Sequence, residues 1–341
     1  MNKKVLVVGS DSPHVVRFIN LIDNYFSETI YVGEDNLKSD LTSKQYQLSF
    51  SSMNPFVIWK NHQRLKKIIA DEKPDIVHIQ QVNRMAFMTA RVLRKQRIKY
   101  AVTAWGSDVL IIPKKNALYK KITQYVLNHA THITADSLDM IQAIRALSEN
   151  KNVALIFFGI EPIESGVKEN IIFSNRSLNE LYNISGVIDE FFEFQKLNPD
   201  WKLVIAGKGE LESDLKKKAE NLGINSKVAF VGWLSSQQNI EWYKKSAIYI
   251  SIPFSDGTSV SLLEAMSAGC IPVVSDLPVS YEWIENKRTG IIKQRGINAF
   301  DEALKLDVKI VAQHNADLIE KKATGKIASE KFIQIYKEME K

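Results

Sequence analysis

The sequence predicts an α/β protein of two parallel-sheet domains, and three observations predict it. The chain has 341 residues, too many for one ordinary domain and suited to two. Short β-branched runs alternate with amphipathic stretches, the pattern of a parallel sheet covered on both faces. That alternation restarts near residue 171, after a break at Phe158-Gly159-Ile160-Glu161-Pro162. Apolar content of 45% and charged content of 25% fit a globular chain.

In the first half, residues 5–8 form a buried strand. The turn Gly9-Ser10-Asp11-Ser12-Pro13 follows, then an amphipathic helix over 14–22. The turn has no GxGxxG, which argues against a dinucleotide site. His14, at the helix start, faces the strand-end crevice where open α/β sheets take ligands; a capping or surface histidine is the alternative. Residues 29–32 and 45–50 read as strands. Residues 53–70 hold a helix carrying Lys60, Arg64, Lys66 and Lys67. A strand at 76–80, a helix at 85–95 and a strand at 100–103 come next. The last ends in Ala104-Trp105-Gly106-Ser107-Asp108. Asp108 is a candidate catalytic carboxylate at a strand end, with capping of the next helix as the alternative. A helix over 118–129, a strand at 132–135, a helix capped by Asp136 and Ser137, and a strand at 153–157 complete the half.

The second half opens with a strand at 171–174. Arg176 follows it, placed for a bidentate phosphate contact or for a surface salt bridge. A strand at 202–206 ends in Gly207-Lys208-Gly209-Glu210, where Lys208 can add positive charge. A strand at 228–231 ends in Gly232-Trp233-Leu234, with Trp233 either touching a ligand or packed in the core. The most informative stretch is SIPFSDGTSVSLLEAMSAGCIPVVSD, residues 251–276. A strand over 248–252 stops at Pro253, which has no N–H to donate. Turn and N-cap residues Ser255 to Ser259 precede an apolar helix over 260–268, and Gly269 stands at the C′ place. Glu264 interrupts the apolar run, and Asp256 stands just before the helix. Free N–H groups at such a helix start favour an anion, so the stretch offers a phosphate seat flanked by two carboxylates. The chain closes with an amphipathic helix over 327–339.

Net charge is +6 and unevenly spread. From 76 to 135 the only acid is Asp108, against ten basic residues, so a basic face is expected on the N-terminal half. It suits anionic lipid headgroups or a lipid diphosphate. Nucleic acid is not expected, because no zinc spacing, helix-turn-helix signature or aromatic-rich motif accompanies the charge. The apolar run at 5–8 is too short for a signal peptide or a membrane span, and no later run is long enough. The expected location is the cytoplasm, peripheral on the inner face of the membrane. The single cysteine, Cys270, points to a reducing compartment and a core thiol.

The stretch SDGTSVSLLEAMSAG, running into IPVVSD, resembles the acidic pair separated by seven residues in retaining glycosyltransferases of family 4 (glycosyltransferases group 1), which have the GT-B fold. The family usually has two glutamates; this chain has Asp256 and Glu264. The resemblance implies two Rossmann-like domains facing across a cleft. Residues 1–160 would be the acceptor-binding domain, with a helix of about 325–341 packing back on it, and 165–322 the donor-binding domain. It implies that Glu264 holds donor ribose hydroxyls and Asp256 those of the transferred sugar. The amides of Gly257, Thr258, Ser259 and Val260 would face the diphosphate, with Arg176 and Lys208 gripping it. Trp233 would lie by the base, Ser10 among the donor contacts and His14 on the acceptor side. Two departures stand out. Trp105-Gly106 occupies the place of a family histidine, and the region after Arg176 lacks the expected Lys. The implied reaction moves a hexosyl unit, with retention, from a UDP- or GDP-sugar or similar donor to a hydroxyl on a glycan or lipid-linked acceptor, in bacterial surface polysaccharide or glycolipid assembly. No DxD motif occurs and neither metal nor cofactor is expected. The alternatives are an inactive GT-B subunit and a nucleotide-sugar epimerase on the same fold.

Overall fold

The computed structural model describes residues 3–38, 40 and 42–341. The chain divides into two compact units: Met1–Phe158 with Gly325–Lys341, and Gly159–Thr324.

The first unit is a seven-stranded parallel sheet. Its strands are β1 (Lys4–Val8), β2 (Glu28–Gly33), β3 (Lys44–Gln47), β4 (Ile76–Gln80), β5 (Tyr100–Thr103), β6 (His132–Ala135) and β7 (Val153–Leu155), in the order β3-β2-β1-β4-β5-β6-β7. Every strand is short and most are β-branched, as strands buried on both faces should be. Alternate residues serve opposite faces. Leu6, Val8, Val77 and Ile79 pack with Leu65 and Ile68 of α2 (Pro55–Glu72), which α1 (Pro13–Ile22) precedes, and with Met85 and Val92 of α3 (Arg84–Gln96). On the other face Phe18 of α1 meets His78 at 4.4 Å and Phe332 at 5.1 Å. Two four-residue helices, α4 (Ser107–Leu110) and α5 (Ile112–Lys115), lead into α6 (Ala117–His129); α7 (Leu138–Leu147) follows β6. The strand expected over 45–50 is shorter and earlier; Leu48, whose N–H still donates to the Gly33 carbonyl at 2.9 Å, and Phe50 are buried just beyond its end.

The second unit is a six-stranded parallel sheet. It comprises β8 (Glu169–Ser174), β9 (Lys202–Ala206), β10 (Val228–Gly232), β11 (Ser246–Ser251), β12 (Ile271–Val274) and β13 (Ile291–Ile292), in the order β10-β9-β8-β11-β12-β13. One face packs on α8 (Ile184–Gln195) and α9 (Glu212–Asn221), with Val187, Phe191 and Leu215 meeting Ile172, Leu203 and Ile250. The elements α10 (Ser236–Lys245), α11 (Val260–Ser267), α12 (Ala299–Ala303) and α13 (Val308–Lys322) complete the unit. The chain builds outward from β8 through β9 to β10, then returns to add β11 on the opposite side. The carboxyl ends of β8 and β11 are therefore a topological switch point, where open sheets part their loops and admit ligands.

The last helix, α14 (Gly325–Met339), belongs to the first unit. Its Tyr336 hydroxyl lies 2.8 Å from His78 Nδ1, and His78 Nε2 lies 2.7 Å from Thr103 Oγ1. Among the described residues no helix is long and apolar enough to cross a membrane. Cys270 is the expected core thiol, its Sγ 3.1 Å from the Tyr243 carbonyl.

Candidate active site

The site is assembled at the carboxyl edge of the second sheet by loops that bind one another through their backbones. The loop after β8 receives the loop after β9: the Leu178 N–H donates to the Lys208 carbonyl at 3.0 Å, and the Leu211 N–H to the Leu178 carbonyl at 3.0 Å. The Gly207 N–H donates to the Gly232 carbonyl at 2.7 Å, tying in the loop after β10. Gly207 is required here twice over. Its φ is +137°, and a Cβ would stand 2.3 Å from the Arg176 carbonyl. The Gly-Lys-Gly sequence thus lays the backbone of Lys208 against the Arg176 loop and leaves its side chain exposed.

Arg176 reaches from this platform to the head of α11. Its Nη2 donates to Asp256 Oδ2 at 2.6 Å, its Nη1 donates to Ser259 Oγ, and the Tyr182 ring lies under the guanidinium at 4.3 Å. Burial opposes its charge, but Asp256 and the two nearby tyrosines hold its pKa above the ordinary arginine value. Burial pushes the Asp256 carboxyl above its ordinary value, while Arg176 and the Gly257 N–H, 3.1 Å from Oδ1, oppose that shift.

Ser259 is the N-cap of α11, yet its side chain caps no helix N–H and accepts from Arg176 instead. Thr258 is buried and accepts from Trp283 Nε1 at 3.1 Å, which pins the loop from the far side. Gly257, Thr258, Ser259, Asp256 and Leu262 line a small pocket with Ser280. Glu264 lies one turn into α11, half-buried, and its charge helps to raise the pKa of the buried Tyr243 hydroxyl, behind desolvation and Tyr249. At the C-terminus of α11, Gly269 takes φ +78°, as its C′ place demands.

The structure brings Arg176, Asp256, Gly257, Thr258 and Ser259 together; Glu264 is on α11, which Ser259 precedes, and Lys208 is adjacent by backbone. Trp233 is 61% exposed, which removes the core alternative. In the first unit Ser10 is half-buried after β1, and His14 is exposed with its ring 5.2 Å from Trp105.

Asp108 is enclosed by backbone. It is 2% exposed, and its two carboxylate oxygens accept N–H groups from Val82 at 2.7 Å, Trp105 at 3.0 and 3.1 Å, and Gly106 at 2.9 Å. Burial pushes its carboxyl up to about 6, against these donors. With both carboxylate oxygens turned on the loop, it organises the backbone there. Sequence reasoning also missed Tyr182, which stacks on Arg176 from the segment where the resemblance expects a Lys; an aromatic six residues after the arginine was the available signal.

The model of Glycosyl transferases group 1 matches residues 158–322, and that of Glycosyl transferase 4-like matches residues 4–137. The chain belongs to the group 1 glycosyl transferases. It has their GT-B fold: a crystal structure of Anabaena Alr3699/HepE in complex with UDP and glucose superposes with a TM-score of 0.83 at 12% identity, covering 98% of this chain and 100% of that one. A Streptococcus pneumoniae alpha-monoglucosyldiacylglycerol synthase is 24% identical over 203 residues, 59% of this chain and 45% of that protein. A Xanthomonas oryzae GDP-mannose:cellobiosyl-diphosphopolyprenol alpha-mannosyltransferase is 32% identical over 102 residues, 29% of this chain and 27% of that one. The matched stretches thus span less than half the length of these two relatives.

Proposed function

We propose that this group 1 glycosyl transferase moves a glycosyl unit from a nucleotide-diphosphate sugar to a hydroxyl of a glycan or lipid-linked acceptor. The observation that carries the reading is the Arg176 guanidinium at the uncapped head of α11, on the switch point between β8 and β11. Negative charge develops on the departing diphosphate as the glycosidic bond breaks. A cation and the N–H groups at a helix start stabilise that charge. In this reading Arg176, Lys208 and the amides from Gly257 to Val260 hold the diphosphate, Glu264 takes ribose hydroxyls, Asp256 takes sugar hydroxyls, and Trp233 lies by the base. In the first unit, Ser10 and His14 are proposed as substrate contacts. Both named relatives form alpha linkages by their descriptions; transfer from an alpha-linked donor to an alpha-linked product is retention, the outcome proposed here. Positive protein groups supply the charge that a metal supplies elsewhere.

The acceptor is proposed to lie at an anionic membrane surface. Met53, Phe56 and Trp59 are exposed at the start of α2, with Phe56 and Trp59 stacked at 6.0 Å, and Lys60, Arg64, Lys66 and Lys67 are exposed along the same helix. Asp108, the only acid from 76 to 135, is buried, so the exposed ionic groups of that stretch are cationic. The pKa of His62 on α2 is lowered by burial and then by Lys95, Arg91 and Lys66, which places the α2 and α3 charges side by side. Aromatic rings with flanking cations suit the headgroup layer of an anionic bilayer.

The first test is a thermal-shift comparison of the wild type and Glu264→Ala against UDP, GDP, ADP and CMP and their sugar conjugates. One nucleotide and its conjugate should stabilise the wild type and not the variant. The absence of a shift with every nucleotide would remove the donor site.

A further inference from the structure

The charged pair at the head of α11 has the geometry of an anion already bound. Asp256 presents one oxygen to Arg176 Nη2 at 2.6 Å and the other to the Gly257 N–H at 3.1 Å. A guanidinium and a backbone N–H at a helix start are the groups that receive a phosphate oxygen. Ser259 has turned its hydroxyl from the helix to Arg176, and Tyr182 covers the guanidinium face, so the arginine is held on three sides. The buried Tyr249 hydroxyl lies within electrostatic reach of both Arg176 and Asp256.

We propose that Asp256 is a resident counter-ion that occupies the donor's phosphate place, and that the incoming diphosphate displaces it from Arg176 and frees it to receive sugar hydroxyls. The proposal rests on the donor-site reading above. The exchange replaces one anion by another, so the buried guanidinium is never left uncompensated.

The exchange also bears on turnover. A nucleotide sugar offers Asp256 new partners when it displaces it; a nucleoside diphosphate offers none. After transfer the carboxylate therefore competes with the bound product for Arg176 and favours its departure.

The experiment is calorimetric titration of the full chain with the nucleoside diphosphate that binds the wild type and with its sugar conjugate. It compares wild type, Asp256→Asn and, as a control for general charge, the exposed neighbour Glu210→Gln. Asp256→Asn should bind the nucleoside diphosphate about tenfold more tightly and the nucleotide sugar no more tightly than the wild type; Glu210→Gln should change neither. Unchanged or weaker binding of the nucleoside diphosphate by Asp256→Asn overturns the counter-ion, as does equal tightening by Glu210→Gln. Asp256→Ser repeats the reading should the amide disturb the loop, with folding checked by circular dichroism. If no nucleoside diphosphate binds any of these proteins, the donor-site reading itself falls and takes this proposal with it.

Discussion

The two units carry a carboxylate at the same kind of place, the carboxyl end of a strand in a parallel sheet, and use it in opposite ways. In the first unit Asp108 accepts three backbone N–H groups and is sealed from solvent. In the second, Asp256 accepts one backbone N–H and one side-chain cation, with its side chain 22% exposed. Backbone donors are fixed by the fold and cannot be traded. A guanidinium can exchange one anion for another. The difference teaches that a strand-end carboxylate is available to a ligand only when its main partner can leave it. The same contrast extends to the histidines: His78 is buried between Tyr336 and Thr103, whereas His14 is exposed at the helix start.

The comparison can be broken most forcefully through His78. Burial lowers its pKa from 6.5 to about 3. Between those values the unfolded chain binds a proton that the folded chain does not, so its contribution to stability is lost as the pH falls through that window. The change amounts to about 5 kcal/mol over the full range. Asp108 has the opposite sign, because its pKa is raised and the folded form holds its proton at higher pH. The clean measurement is therefore the difference in denaturant stability between wild type and His78→Gln, followed from pH 7 downward. That difference should shrink steadily with acid. A difference independent of pH would mean that His78 is no buried neutral base, and that the first unit does not spend its polar groups on internal cohesion.

A smaller effect is expected from Asp108→Ala. It orphans the N–H groups of Val82, Trp105 and Gly106 and should destabilise the first unit by about 3 kcal/mol. Nucleoside diphosphate binding by the second unit should survive. Loss of binding with stability intact would reinstate Asp108 as a ligand contact and erase the contrast with Asp256.

The smallest stability effect belongs to the exposed ridge on α2. Replacing Phe56 and Trp59 together by serine should leave unfolding within about 0.5 kcal/mol per site. Sedimentation with vesicles containing anionic lipid should fall sharply, and the binding that remains should be the salt-sensitive part carried by the cations. Vesicle binding that ignores both the aromatic residues and the salt would sink the membrane reading.

Much of the fold and part of the site are legible in the amino-acid sequence. The strands announce themselves through β-branched runs, and the turn from Pro253 through Ser259 into the apolar helix of α11 is readable residue by residue. These features depend on neighbours within a few positions: ring geometry, a missing N–H, a C′ glycine. The head of α11 as a candidate anion seat and Arg176 as its candidate cation also follow from residue type and place.

What stays hidden in the sequence is the choice of partners. Arg176 and Asp256 are 80 residues apart in sequence and Val82 and Asp108 are 26 apart, so no local pattern says which carboxylate meets a guanidinium and which meets backbone. The exposure of Trp233, the stacking of Tyr182 and the bare aromatic ridge of Phe56 and Trp59 are equally undecided there, since an apolar side chain reads alike whether its neighbour is core or water. Sequence by itself determined the two sheets and the residues able to carry charge at their ends. Tertiary structure alone decided which of those charges are saturated and which can still change hands, because hydrogen bonding and burial are settled by contacts that the folded chain brings together from distant positions.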